Sequence, residues 1–202
     1  MEEDKSAIEI LKDFALNTGR KIEFSEKHYP TRISHRGFSH VSHAIVSDKL
    51  NQNEYFVSYS DSRGFGDNAN YSGFFFLMDA PAASTIKIRK KNVLDKLNPF
   101  FKQNRFSSRY SEFNTKVVIE ENDIALTNRI FSNTLTQELT REILNLDDRI
   151  RVGVNNINVD IVPVLKGKST FGIYLAGEWL LNETILEKLF RFTINTKLRF
   201  NV

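Results

Sequence analysis

Between Lys21 and Arg89 the apolar residues recur at a period of two, in five short segments separated mostly by brief turn-forming stretches. A parallel neighbour needs a crossover of a dozen or more residues, so this pattern confines the first half of the chain largely to antiparallel pairing. The expected strands are Lys21–Ser25, Ser42–Asp48, Tyr55–Ser60, Ser72–Met78 and Thr85–Arg89. Asn51-Gln52-Asn53 and the stretch Asp61–Asn68 punctuate them with residues that favour turns. Phe74-Phe75-Phe76-Leu77-Met78 is apolar at every position, as in a central strand covered on both faces.

Helical spacing flanks this block. Ser6-Ala7-Ile8-Glu9 has the form of a capping box, followed by Ile8, Leu11, Phe14 and Ala15 on one face and Gly19 as the stop. A short helix is expected near Asn92–Leu97, then a loop rich in Phe, Arg and Ser. Thr115–Glu120 reads as a strand, and Asn122 as the cap of a helix running to about Phe131. Thr134-Leu135-Thr136-Gln137 offers a second capping box before the stripe Leu135, Leu139, Ile143 and Leu146. Strands then return. Ile150, Val152 and Val154 alternate, Asn155-Asn156 has the form of a two-residue turn, and Ile157, Val159 and Ile161 alternate back. Phe171, Ile173 and Leu175 form a last strand, and Asn182 caps a last helix. The fold class expected is α+β: mainly antiparallel sheet in two strand blocks, a helical middle, and N- and C-terminal helices. No linker divides the chain, so residues 1–202 read as one domain.

Composition narrows the chemistry. There is no cysteine, which removes disulfides, thiolate nucleophiles and thiolate zinc sites. Phe occurs 17 times against one Trp, so aromatic burial is expected to carry much of the core. The first residues are acidic where a signal peptide is basic, and the longest apolar run is far shorter than the roughly 20 residues that span a bilayer. The expectation is a cytoplasmic protein. Signatures of nucleotide-binding loops, kinases and nucleophile elbows are missing, and Gly64-Phe65-Gly66 lacks the third glycine and the following helix of a phosphate loop. No cofactor is expected, and a hairpin turn is the better reading of that glycine pair.

Two segments carry candidate sites. All four histidines fall between positions 28 and 43. His35, His40 and His43 could ligate zinc, nickel or copper if they converge, giving a metal-binding protein or metal-dependent hydrolase. On a helix His40 and His43 share a face; on a strand they point apart. The plainer reading is a polar loop and strand edge. Between Ile86 and Tyr110 lie eight basic residues against Asp95 alone, a local charge of +7. Among them Lys87, Arg89, Lys90, Lys91, Lys102, Arg105 and Arg109 form the candidate anion-binding set, interleaved with Phe100, Phe101, Phe106 and Tyr110. Such a mixture suits nucleic acid, an anionic membrane surface or an acidic protein. The plainer alternative is a solvated basic face with phenylalanines turned into the core. An exposed aromatic patch would also suit a homo-oligomer.

The segment Phe106–Leu135 resembles an uncharacterised bacterial family of unknown function, through Phe113, Val117, Ile119, Asp123, Ala125, Ile130, Phe131 and Leu135. Tyr71-Ser72-Gly73-Phe74-Phe75-Phe76 and Phe171–Leu175 resemble two of its strands. The resemblance implies an α+β fold, often membrane-associated in relatives with added hydrophobic helices, and supplies no catalytic residue. The function expected is a non-enzymatic binding or interaction module.

Overall fold

A computed structural model describes residues 5–30, 38–47, 54–92, 95 and 111–200. The strands are β1 (Lys21–Pro30), β2 (Phe38–Ser47), β3 (Glu54–Asp61), β4 (Asn70–Leu77), β5 (Ile86–Lys90), β6 (Val117–Glu121), β7 (Ile150–Val154) and β8 (Thr170–Ala176). They form one eight-stranded sheet in the order β1-β2-β3-β4-β8-β7-β5-β6. Every neighbouring pair is antiparallel. The two strand blocks therefore merge, because β8 adds to the free edge of β4. That strand is central and buried almost throughout, as its uninterrupted apolar run requires.

The helices are α1 (Ala7–Asn17), α2 (Ser111–Lys116), α3 (Ile124–Phe131), α4 (Thr134–Leu144) and α5 (Glu183–Phe200). Leu11 and Phe14 of α1, Ile130 of α3, Ile143 of α4 and Leu186 and Phe190 of α5 pack with Val46, Phe56, Phe74, Val152 and Ile173 in one large core. The strand residues in that set alternate, so helices cover one face of the sheet. Ser6 and Glu9 make the capping box in full, satisfying the first amides of α1.

Three local expectations are corrected. Asp123, not Asn122, caps α3: its carboxylate accepts from Leu126 N at 2.9 Å. Asn122 instead ties the preceding turn to β5, accepting from Thr85 N and donating to Ala83 O. At α4 the cap is Asn133 rather than Thr134, and Gln137 turns back to donate to the Phe131 carbonyl. Lastly, Asn155-Asn156 does not return the chain as a strand. Asn155 takes φ 53°, a left-handed conformation that Asn tolerates, and residues 155–169 make a turn-rich excursion. Ile157, Val159, Val162 and Leu165 from that excursion bury against Ile45, Val57, Tyr71, Phe75 and Tyr174 on the sheet's second face. Apolar spacing there marks residues that cover a sheet, not residues that join it.

The short helix expected near Asn92–Leu97 lies mainly outside the described residues. Asn92 and Asp95 nevertheless exchange hydrogen bonds reciprocally, each side chain accepting from the other's backbone amide. No described helix is long and apolar enough to cross a membrane.

Candidate functional site

The strand register decides the histidines. His40 and His43 lie on one strand three residues apart, so they point to opposite faces. His40 sits opposite His28 on the helix-bearing side, while His43 sits opposite Ser25 and Tyr59 on the other. Partial burial lowers the His43 pKa, with Lys27 adding to the effect. His35 lies outside the described residues, and no group of three metal-ligating side chains converges among those described.

Most of the basic segment is paired with acids where it is described. Lys87 and Arg89 point to the face opposite the helices, and each meets carboxylates. Lys87 Nζ lies 2.6 Å from Asp67, and Arg89 holds Asp95 through two bonds of 2.7 Å with Glu120 at 3.4 Å. Lys90 pairs with Asp148 at 2.6 Å. Lys91 is exposed, its backbone amide bonded to Lys116 O. Three of these four basic side chains thus meet acids, Asp67, Asp95, Glu120 and Asp148, with Arg151 opposite Arg89 in the register. Three of those acids lie outside the segment, which is why the sequence window reads as strongly positive. Lys102, Arg105 and Arg109 lie outside the described residues, as do the four aromatics between them.

A cleft of about 710 Å³ opens elsewhere, on the helix-bearing face over β2, β3 and β4. Its floor follows from a gradient along these strands. Val46, Phe56 and Phe74 stand side by side and belong to the core. Two residues along, Ala44, Ser58 and Ser72 replace them, and two further along stand Ser42, Ser60 and Asn70. Side chains shrink after the first row and become more polar through the third, so the core gives way to an opening.

The chain crosses that opening after β8. Gly177, at φ 94°, turns it off the strand, and Asn70 anchors the turn by donating from Nδ2 to Gly177 O at 2.8 Å. Ser72 Oγ then accepts from Leu180 N at 2.6 Å and donates to Glu178 O. Asn182 ends the crossing by capping α5, its side chain accepting from Ile185 N at 3.0 Å. Trp179, Leu180, Leu181 and Ile185 thereby line an apolar wall.

The opposite rim is charged. Asp147 and Arg149 flank the turn into β7, and Arg149 chelates Asp147 through Nε at 2.9 Å and a terminal nitrogen at 2.7 Å. Its other terminal nitrogen donates to Glu178. The bonds from Arg149 hold the Asp147 carboxyl below its ordinary pKa and raise that of the guanidinium. Two carboxylates and one cation leave the lining at −1. Asn70 Oδ1 and Trp179 Nε1 are closed off from solvent and have no hydrogen-bond partner among the described residues, and the same holds for Ser58 Oγ behind the floor. Each such atom costs about 1–3 kcal/mol relative to a paired one, so the packing around the cleft carries a local stability cost. Among the described lining residues, Ser42 and Ser60 have no histidine or lysine beside them to act as a base.

Sequence reasoning passed over this site entirely. Its lining comes from six separated segments, and of the residues that carry the family resemblance only Ser72 supports it. The usable signal was the single Trp, in Gly177-Glu178-Trp179, placed on a strand-to-helix connection where a large aromatic has no need to be. No family model, curated protein or solved structure matches the chain.

Proposed function

We propose that this protein is a non-enzymatic binding module whose ligand is a small polar molecule, uncharged or cationic, seated in the Trp179 cleft. The observation that supports the reading most directly is the pairing of an apolar wall containing Trp179 with a polar floor and a net-negative rim. Ligand sites are typically concave and largely apolar, with a few polar groups that fix orientation. Here the indole supplies a flat apolar surface, Ser42 and Ser60 supply neutral polar groups, and Arg149 is already engaged by two acids. An anion would have to displace those acids, whereas a hydroxyl or amide can both donate to and accept from the serine hydroxyls of the floor.

The position of the only Trp provides the test. Titrating the protein with neutral, cationic and anionic small-molecule fragments should shift Trp179 emission with neutral or cationic members. Ser60→Ala should weaken those hits by about tenfold, corresponding to one lost hydrogen bond of about 1.4 kcal/mol. Hits confined to anions, or hits indifferent to Ser60→Ala, would overturn the assignment.

A further inference from the structure

The sheet has two edges, and they differ. β6 is a five-residue edge whose Val117, Val118 and Ile119 are buried. β1 is ten residues long, pairs with β2 through an unbroken register from Lys21↔Ser47 to Pro30↔Phe38, and is mostly exposed. Among the described residues no strand lies beyond it. A long edge without a bulge presents a row of free amides and carbonyls to any strand that can pair with it. The common chemical block is a run of lysines, but β1 instead mixes signs: Lys21, Glu23, Glu26 and Lys27.

We infer that β1 pairs with β1 of a second copy of this chain, antiparallel about a two-fold axis at Ser25. The charge pattern selects this occupant and this register. Opposed residues in an antiparallel ladder share a face, so a two-fold pairing of identical strands places one residue opposite its own copy. With the axis at Ser25, Glu23 faces Lys27 of the second copy and Lys27 faces its Glu23. Ile22 then faces His28, Phe24 faces Glu26, and Lys21 faces Tyr29, with no like-charge pair. Moving the axis to Phe24 sets Lys21 against Lys27. At Glu26 that residue meets itself; at Glu23 or Lys27 the same happens to those residues. Only the Ser25 axis joins most of the strand without repulsion.

The rest of the edge fits this arrangement. Lys21, Glu23, Ser25, Lys27 and Tyr29 share the face opposite the helices, so both Glu–Lys pairs form on one side of the joined sheet. Ile22 and Phe24 share the other side; Phe24 is 38% exposed, with Lys12 Nζ 5.8 Å from its ring centre. Joining the copies would cover its open flank. The outcome is a two-fold dimer in which two eight-stranded sheets become continuous, with both helix layers on the same side.

Sedimentation velocity and light scattering across about 1–200 μM test it, since self-association follows mass action. The native chain should approach twice its 23.4 kDa mass at the upper end. Lys27→Glu turns both pairs into Glu–Glu contacts and should weaken association at least tenfold; Glu23→Lys should do the same from the other side. Both side chains are exposed, so circular dichroism should show an unchanged fold. The double variant Glu23→Lys/Lys27→Glu restores opposite charges and should restore the dimer. A monomer at every concentration, a dimer indifferent to Lys27→Glu, or a charge swap no tighter than either single variant would overturn the inference.

Discussion

Truncating Phe190 tests how α5 is held to the sheet. The side chain is 3% exposed, its ring stacks on Phe14 at 5.9 Å and meets Phe74 edge-on at 4.4 Å. The guanidinium carbon of Arg20 lies 3.8 Å from its centroid, and Arg20 also pairs with Glu187 of the same helix at 2.8 Å. Replacing a buried Phe by Ala removes transfer energy and leaves a cavity, together about 3–5 kcal/mol. The ring contacts add about 0.5–1.5 kcal/mol per pair and the cation about 1 kcal/mol, partly overlapping the burial term. Phe190→Ala is therefore expected to cost about 4–5 kcal/mol, a fall in Tm of about 8–20 °C for a chain of this size. Phe190→Leu keeps most of the apolar volume and loses the ring face, so about 1–2 kcal/mol is expected. Urea unfolding followed by Trp179 emission reads both. A double-mutant cycle of Arg20→Met with Phe190→Leu isolates the cation–ring contact, with a coupling of about 1 kcal/mol. An Ala variant costing under about 2 kcal/mol, or a Leu variant as damaging as Ala, would refute the reasoning.

Two more outcomes follow from local geometry. A Cβ at Gly153 would sit well inside contact distance of the Ile86 carbonyl and the Asn156 amide, which are bonded to each other, so Gly153→Ala should cost about 2–4 kcal/mol in denaturant titration. A value within about 0.5 kcal/mol of the native chain would show that β5 and β7 yield freely. Hydrogen bonds from Arg89, with help from the Asn92 amide, bring the Asp95 carboxyl down from 3.8 to about 2. A lowered carboxyl pKa stabilises the fold above its unfolded value and loses that contribution as pH falls through the folded one. The melting difference between native and Asp95→Asn should thus be steady above pH 4 and close between about 4 and 2; an unchanged gap at pH 2 would contradict the pairing.

The parts of this architecture that were legible beforehand rest on short-range periodicity. Phe74–Met78 declared a strand buried on both sides, and Ser6 and Glu9 declared the start of α1, because burial of neighbours and the first amides of a helix are decided within a few residues. Caps shifted by one residue where two candidates were adjacent: Asn122 with Asp123, and Asn133 with Thr134. Either residue can cap, and the choice fell to tertiary partners such as Thr85. The excursion 155–169 misled for a similar reason. Alternating apolar residues show that a face is buried, but not whether the backbone pairs or packs.

The sequence alone determined an antiparallel α+β architecture without thiol chemistry, since composition and a two-residue period need no knowledge of distant neighbours. Strand order decided the rest. It brought Asp67 and Asp148 against a segment that reads as positive. It also set Ser72 beneath Leu180, 108 residues away, to close the Trp179 cleft. Electrostatic neutralisation and pocket formation depend on which chain segments meet, and only the assembled sheet specifies that.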